Sequence, residues 1–310
     1  MNPDGHLPDP APGSGTPLAY PSRELLEIRG GLLYRAGTVP SALDSAWELY
    51  AEGKFPVFST LVAERQTRGR GRLGRTWASP PGHVYASVRL PLEPPFEDSA
   101  APVALAFWLS LALDEVTGLR LLIKWPNDLV LDGAKAGGIL LENRKGALMA
   151  GVGLNIGSPP DLGEAGAARD PYAPPPGALP VSRLPPGGPC GLWKELAINL
   201  IMRYNVNSAL RSPVTGAPSA RTPVLDRSPG PGPSKQGSAK GFAGMRELAA
   251  SRLFGLGRKI AVSRPAPAAF EGETSLEGRM AGLDVTGALL VETRQGTRSL
   301  WSGTVLFPEG

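Results

Sequence analysis

The sequence contains an arginine- and glycine-rich run, Gln66-Thr67-Arg68-Gly69-Arg70-Gly71-Arg72-Leu73-Gly74-Arg75-Thr76-Trp77, in which four arginines are interleaved with three glycines. Glycine lets the backbone approach a ligand closely, and each guanidinium offers a planar fork of donors that fits phosphate or carboxylate oxygens. The run therefore predicts a loop that wraps an anion, with Trp77 as a flat surface for a ring. Arg-Gly runs also occur in disordered RNA-binding tails, but apolar segments of globular type flank this one at 55–61 and 84–90.

Composition limits the class of protein. The 310 residues suffice for one large domain or for one medium and one small domain, and the formal charge of +4 is only mildly basic. An anionic small substrate needs the same local charge as a nucleic acid does. The single Cys190 cannot form an internal disulfide, and His6 and His83 are too few for a zinc cluster. The start of the chain lacks a secretory signal, and the longest apolar run, 103–113, is too short for a bilayer. We expect a cytoplasmic protein without a membrane partner.

Proline and glycine, 34 and 40 residues, are unevenly distributed and divide the chain into segments. We expect a disordered or extended tail over 1–34, a globular domain over 35–211 and a low-complexity linker over 212–245. The globular domain carries a Pro/Gly-rich surface insertion at about 157–190. Short alternating strands separated by glycine turns predict a small β-barrel over 246–310.

Periodicity and turn residues predict the main elements of the globular domain. Helices are expected at 41–53, 101–117 and 192–210, and strands at 55–63, 84–90, 121–125 and 148–156. Asp132-Gly133 lies between two apolar runs, which is a strong signal for a β-hairpin.

Two further motifs carry chemical groups: Lys124-Trp125-Pro126-Asn127-Asp128 with Lys135 downstream, and Gly151-Val152-Gly153-Leu154-Asn155. Where two anions must react, fixed cations around them lower the barrier, as when a carboxylate attacks the α-phosphorus of ATP. Each motif alone has a simple structural interpretation. Lys124 and Asp128 could form an ordinary solvated pair, Lys135 could be a surface lysine, and glycine-containing strands are common.

Together and in this order, the motifs resemble those of the biotin protein ligases, also called biotin–[acetyl-CoA-carboxylase] ligases, in the form without an N-terminal DNA-binding domain. The resemblance is carried by Gly69–Trp77, Lys124–Leu129, Lys135, Gly137–Leu140 and Gly151–Asn155, with weaker matches at Gly287–Val291 and Leu300–Gly303. It covers about residues 35–157, 192–211 and 246–307.

The resemblance implies an α+β fold: a catalytic domain like that of class II aminoacyl-tRNA synthetases, with a mixed sheet and flanking helices, and an SH3-like barrel. It also implies a two-step reaction in which biotin and ATP give biotinyl-5′-AMP, and a lysine amine then takes the biotin. Mg²⁺ would be carried by ATP, with no certain protein ligand. The implied partner is a biotin carboxyl carrier protein or the biotin-acceptor domain of a carboxylase, and a homodimer is left open.

The resemblance also assigns roles to individual residues. Biotin contacts fall to Ser41, Gln66, Gly69, Arg70, Lys135, Gly137 and Gly138, and ATP contacts to Arg72, Arg75, Trp77, Lys124, Asn127 and Asn155. The catalytic group is Lys135, Asp128 and Arg72. Lys135 would bridge the biotin carboxylate and the α-phosphate, and Asp128 would orient the incoming amine. We expect the Arg-Gly loop to order over bound ligand, because an exposed anhydride would hydrolyse.

Two positions depart from the family pattern. Ala42 stands where threonine is usual, so a hydroxyl near the biotin ring is absent and weaker biotin affinity is expected. His83 stands where asparagine is frequent, and we interpret it as structural. Only about 35 residues precede the catalytic region, too few for a winged helix, so no binding to operator DNA is expected.

Two other functions fit parts of the sequence. A lipoate or octanoate protein ligase shares the fold and the adenylation chemistry. A non-catalytic nucleic-acid-binding protein could use the Arg-Gly run and would bind polynucleotides in a strongly salt-dependent way. That second function leaves Lys124, Asp128 and Lys135 without a role.

Overall fold

The structure is a computed structural model that describes residues 22–25, 30–97, 99–161, 173–211, 242–263 and 275–308, and the statements below concern these residues. Most of the predicted N-terminal tail, the middle of the predicted insertion and most of the predicted linker therefore lie outside the described residues.

An eight-stranded mixed sheet forms the centre of the larger part, in the order β1-β2-β3-β4-β8-β7-β6-β5. Its strands are β1 Ser22–Leu25, β2 Leu32–Val39, β3 Thr60–Gln66, β4 Val84–Leu90, β5 Leu122–Lys124, β6 Asp128–Leu131, β7 Ala134–Arg144 and β8 Ala147–Leu154. β2 and β3 are parallel, as their helical crossover requires, and the other neighbours are antiparallel. Residue 35, predicted as the start of the globular domain, lies inside β2.

Helices cover both faces of this sheet. They are α1 Ala42–Ala51, α2 Ala101–Thr117, α3 Gly188–Arg211 and the short α4 Arg246–Ala250. The predicted range of α2 is confirmed, and the helix stops at Gly118, whose φ of 70° is left-handed. α1 packs on β3, β4 and β8, while α2 and α3 pack together on the opposite face. Trp193 of α3 is fully buried and donates to Thr60 Oγ1 at 2.7 Å, which joins α3 to β3.

Turn chemistry explains one correct and one wrong strand prediction. The hairpin at Asp132-Gly133 is confirmed, because both residues have positive φ, 48° and 79°, as a tight two-residue turn requires. The strand expected from residue 55 begins only at Thr60. The preceding residues form a turn in which Ser59 N–H donates to Pro56 O at 3.0 Å and Phe58 has a φ of 68°.

The described end of the predicted surface insertion is part of the sheet region. Residues 173–180, which we call the strap, run beside Lys135 and the end of β8. Leu179 of the strap is fully buried, and its N–H donates to Asn155 O at 2.8 Å. The surface insertion at 157–190 stays a prediction, with this segment tied to the sheet through Leu179, and α3 begins at Gly188, inside that range.

A second, five-stranded antiparallel sheet is consistent with the predicted small β domain. Its strands are β9 Lys259–Ser263, β10 Ser275–Leu283, β11 Leu289–Thr293, β12 Gly296–Leu300 and β13 Thr304–Leu306, in the order β12-β11-β10-β9-β13. The β10–β11 turn lies against the residue that precedes α2, Ala100, and accepts a hydrogen bond at Gly287 O from Trp125 Nε1 at 3.1 Å. A Cβ on Gly287 would lie 2.8 Å from Ala100 Cα, so only glycine allows this approach.

Among the helices of the described residues, none has the length and apolarity needed to cross a membrane.

His83 is a buried structural residue at the start of β4. Its Nδ1 accepts a hydrogen bond from the N–H of Ile156 at 2.9 Å, and this bond requires the neutral ring. Burial lowers the pKa of His83 below its ordinary value.

We expect this depressed pKa to make stability pH-dependent. Because the unfolded chain binds the proton more readily than the folded one, the contribution of neutral His83 is complete above about pH 6.5. It is lost as the pH falls from there toward the folded pKa. Urea denaturation between about pH 7 and pH 5 should show a steeper loss of stability for the unaltered chain than for His83→Asn, whose amide does not titrate. Equal slopes would contradict this assignment.

Candidate active site

A cavity of about 160 Å³ lies between the Arg-Gly loop (residues 66–77), the start of α1 and the β6–β7 hairpin. Most of the predicted site residues line it: Ser41, Gln66, Arg70, Arg72, Arg75, Trp77, Lys124, Asn127, Asp128, Lys135 and Gly138. The motifs far apart in sequence thus meet in one place. Gly303 and Thr304 of the C-terminal sheet also line the cavity, and the sequence interpretation missed them. Gly69, Gly137 and Asn155 do not line it.

The Arg-Gly loop is a small antiparallel hairpin. Gly71 N–H donates to Arg75 O at 2.7 Å, and Trp77 N–H donates to Gly69 O at 2.9 Å. The chain reverses at Leu73, whose φ is 58°. The loop therefore presents Arg72 and Trp77 to the cavity from a defined backbone, and its ordering over ligand stays a prediction.

Gln66 ties the base of this loop to α1. Its Oε1 accepts from Ala42 N–H at 2.8 Å, and its Nε2 donates to Ser79 Oγ at 2.8 Å. A Cβ on Gly69 would lie 2.5 Å from Ser79 Oγ, so Gly69 leaves the room that this arrangement needs. The two residues predicted to contact biotin thus also shape the wall of the cavity.

Arg70 is held between two carboxylates that the sequence interpretation missed. Its guanidinium contacts Asp44 Oδ1 at 2.6 Å and Glu142 Oε1 at 2.7 Å. Glu142 also accepts from Trp47 Nε1 at 2.9 Å, so it connects α1, the loop and β7. The acidic side chains were visible in the sequence, but pairing them with Arg70 requires the positions of α1 and β7. Arg70 therefore fastens the loop and is not a free anion-binding group.

Arg72, in contrast, is oriented by a hydrogen bond to a neutral side chain. Its Nη1 donates to Asn127 Oδ1 at 2.8 Å, while Asn127 Nδ2 donates to Ile139 O at 2.8 Å. Burial lowers the pKa of Arg72, and the nearby carboxylate of Asp128 opposes that shift. An arginine stays protonated in proteins, so Arg72 brings a poorly solvated positive charge to the cavity.

Lys135 and Asp128 form an ion pair in the cavity. Lys135 Nζ lies 2.8 Å from Asp128 Oδ1 and 5.3 Å from the centre of a Trp77 ring. The pairing of β6 with β7 shifts here, because Leu129 faces Gly137 but Val130 faces Lys135. Such a β-bulge changes the direction of the neighbouring side chains, and it brings Lys135 to Asp128 across the hairpin.

Trp77 lies over a pair of glycines. Gly138 of β7 faces Gly153 of β8. A Cβ on Gly138 would lie 2.9 Å from the indole, and a Cβ on Gly153 would lie 2.6 Å from it. Gly137 has the opposite orientation, since its Cβ would lie 2.7 Å from Leu154 Cδ2 in the core. The structure thus supports the cavity position of Gly138 but not that of Gly137. Trp77 Nε1 is buried and has no hydrogen-bond partner among the described residues.

Asn155 lies behind the cavity wall. It is 5% exposed, and its Nδ2 donates to Gly177 O of the strap at 2.8 Å. Its Oδ1 has no partner within the described part of the chain. The same residues contain no group of three or more His, Cys, Asp or Glu placed to hold a metal ion. The expected contact of Asn155 with ATP stays a prediction.

Comparison with known proteins agrees with this geometry. Residues 46–158 match the model of the Biotin/lipoate A/B protein ligase family. The match covers about a third of the chain. It contains the Arg-Gly loop, the Lys124–Asp128 motif, Lys135 and both glycines under Trp77.

Two curated relatives that match part of the chain are named as ligases. The chain is 39% identical over 127 residues to a biotin--[acetyl-CoA-carboxylase] ligase of Paracoccus denitrificans, which covers 37% of this chain and 50% of that protein. It is 32% identical over 142 residues to the bifunctional ligase/repressor BirA of Bacillus subtilis, covering 44% and 43%. The chain thus matches at most half the length of these relatives.

A solved structure shows the same fold over most of the chain. The biotin protein ligase from Aquifex aeolicus, in complex with biotin and ATP, has a TM-score of 0.63 at 24% identity. The likeness covers 88% of this chain and 97% of that one. The α+β ligase fold therefore extends beyond the segment matched by the family model.

We expect the packing of the Trp77 indole to require glycine at position 153. In Gly153→Ala the new Cβ would lie 2.6 Å from the indole, and overpacking of this kind costs about 1–3 kcal/mol. Gly151→Ala is the matched control on the same strand, because its Cβ would meet Leu43 at an ordinary 3.6 Å. Urea denaturation should show this loss of stability for Gly153→Ala and not for Gly151→Ala. When Trp77 is also replaced by alanine, Gly153→Ala should cause no further loss. Equal stability of the two alanine variants would refute the packing.

Proposed function

We propose that the chain is a biotin protein ligase, which activates biotin with ATP as biotinyl-5′-AMP and then transfers biotin to a lysine of an acceptor protein. The observation that carries this proposal is the ion pair of Lys135 and Asp128 beside Arg72 in one cavity. The names of the curated relatives and of the Aquifex structure support the choice of biotin.

In the first step, a carboxylate oxygen of biotin bonds to the α-phosphorus of ATP, and the bond to the β-phosphate oxygen breaks. Both reactants are anions, so positive charge fixed in advance lowers the barrier. Arg72 and Arg75 line the cavity on the loop side, and Lys135 lies on the sheet side. We assign Lys135 to the carboxylate and the α-phosphate and the two arginines to the remaining phosphates. Mg²⁺ brought with ATP would neutralise the pyrophosphate, and Asn155 is the residue proposed to assist it.

In the second step, the lysine amine of the acceptor bonds to the biotin carbonyl carbon, and the bond to the AMP oxygen breaks. The amine must lose a proton to become a nucleophile. Asp128 is the carboxylate nearest to Lys135, at 2.8 Å from its Nζ. We assign Asp128 to orient the incoming amine and to accept its proton. The amine of the acceptor lysine would then bind the same carboxylate as the ε-ammonium of Lys135. This position would place the amine beside the activated carbonyl.

The opposite end of the cavity is proposed to hold the biotin ring. Ser41, Ala42 and Gln66 line the cavity where the start of α1 meets the base of the loop, and Gly138 lines it beneath Trp77. Ala42 has no side-chain hydroxyl, and its backbone N–H donates to Gln66 Oε1. Because Arg70 is paired with two carboxylates, we assign it to biotin binding through the position of the loop.

The proposed acceptor is a biotin carboxyl carrier protein or the biotin-acceptor domain of a carboxylase. A homodimer, a cytoplasmic location and the lack of operator binding stay predictions. A lipoate or octanoate ligase is the second candidate, because the matching family model includes lipoate ligases. The nucleic-acid-binding alternative is weakened by Arg70 and Arg72, whose side chains bond to groups of the chain itself.

The test of the proposal is biotin-dependent exchange of labelled pyrophosphate into ATP, with lipoate and octanoate as parallel substrates. Exchange with biotin and not with the other acids is the expected result. Exchange with lipoate alone would replace the proposal by the second candidate. Salt-dependent polynucleotide binding without any exchange would support the third function.

Lys135→Ala should lower this exchange about 100-fold or more, because a preorganised charge at the reacting phosphate is lost. The fold should persist, since Lys135 is about one-third exposed. Lys54→Ala is the matched control, because Lys54 is 59% exposed, forms an ion pair with Glu52 and does not line the cavity. Exchange at the unaltered rate in Lys135→Ala would exclude the proposed role.

A further inference from the structure

The strap is fastened to the backbone of Lys135, and this contact is not explained by the proposed reaction alone. We infer that the strap is a positioning element for Lys135, and that the small size of Gly177 sets its distance from β7. The inference rests on the proposed function for its effect on catalysis. The contacts themselves do not depend on it.

The strap occupies a place that β8 leaves open. β8 pairs with β7 only as far as Gly137, which faces Leu154. Beside Lys135 the strap takes over in a parallel arrangement with Pro176. Lys135 N–H donates to Pro175 O at 2.6 Å, and Lys135 O accepts from Gly177 N–H at 2.8 Å. Both backbone groups of Lys135 therefore bond to the strap.

The β-bulge makes these bonds important. Ala136 has no partner in β6, because the pairing passes from Gly137 directly to Lys135. A bulge disrupts the local ladder and re-aims the side chain beside it. The β6 ladder is interrupted at Ala136 and the β8 ladder ends at Gly137, so the strap holds the peptide groups on either side of the Lys135 Cα. The direction of the Lys135 side chain toward Asp128 follows from that backbone.

Asn155 fastens the strap at its other side. Its Nδ2 donates to Gly177 O at 2.8 Å, and its backbone O accepts from Leu179 N–H at 2.8 Å. The buried Leu179 side chain anchors the segment in the core. Asn155 also donates its own N–H to Ala136 O at 2.8 Å, so one residue holds both the bulge and the strap. Asn155 is thus a positioning residue that acts on Lys135 through Gly177.

Gly177 gives a direct way to test this arrangement. A Cβ at this position would lie 2.6 Å from Ala134 Cβ and 3.3 Å from Ala134 C. Gly177 does not have a positive φ, so alanine is conformationally allowed there. A side chain at position 177 is therefore excluded by a steric clash with Ala134, the residue next to Lys135.

The experiment compares Gly177→Ala, Ala134→Gly and the double variant. Gly177→Ala should push the strap from β7 and lower kcat of biotin-dependent pyrophosphate exchange by about 10- to 100-fold, as small misplacements of reacting groups do. Ala134→Gly alone should stay near the unaltered rate. The double variant, which removes the clashing methyl group, should recover most of the activity. Full activity of Gly177→Ala, or no recovery in the double variant, would overturn the inference.

A second readout separates positioning from general loss of structure. If the strap acts through Lys135, adding Gly177→Ala to Lys135→Ala should lower single-turnover adenylate formation no further. A merely structural defect would add its own loss to that of Lys135→Ala, and this outcome would contradict the inference.

Hydrogen exchange distinguishes failure of the inference from failure of the proposed function. In the unaltered chain the Lys135 amide should be protected, Gly177→Ala should speed its exchange, and the double variant should restore protection. This result requires no substrate, so it tests the strap even if no acid supports pyrophosphate exchange, which would refute the proposed function alone. Equal protection of the Lys135 amide in all variants would overturn the strap contact.

Discussion

The register between β7 and β8 is the constraint on which the site depends. It sets Gly138 opposite Gly153, which makes room for the indole of Trp77. It also ends at Gly137, and this leaves space beside Lys135 for the strap. A shift by one residue would turn every side chain of β7 to the other face. The surface for Trp77 and the side chain of Lys135 would then leave the cavity together.

The ion pairs of the site orient side chains more than they stabilise the fold. The ion pair of Lys135 and Asp128 is partly exposed, as are the pairs of Arg70, and such pairs contribute little to folding free energy. Their geometry nevertheless separates two kinds of arginine. Arg70 is neutralised by two carboxylates, whereas Arg72 is oriented by the amide of Asn127. Composition alone would count both as equal parts of one basic patch.

Local signals in the sequence predicted α2, the hairpin at Asp132-Gly133 and the meeting of the motifs, because each depends on neighbouring residues or on spacing within a family pattern. The side of the sheet on which Gly137 lies could not be assigned in this way. Adjacent residues of a strand point to opposite faces, so Gly137 and Gly138 cannot both line the cavity, and the bulge at Ala136 decides between them. The Arg70 clamp and the strap depend on contacts between segments distant in sequence, which local patterns do not specify.

The site combines a fixed half and a movable half. Lys135 is held by two backbone hydrogen bonds to the strap, which is itself anchored by buried Leu179. The Arg-Gly loop is held at its base by backbone hydrogen bonds, among them Thr67 N–H to Val39 O at 3.0 Å, whereas its outer part is held by side chains: the ion pairs of Arg70, the bond of Arg72 to Asn127 and the packing of Trp77. Opening the outer part of the loop would break these side-chain contacts and lift Trp77 from the two glycines, while the backbone bonds of Lys135 to the strap would remain. The proposed reaction would benefit from this division, because the charge of Lys135 would stay preorganised while the tip of the loop admits substrate and then covers the anhydride.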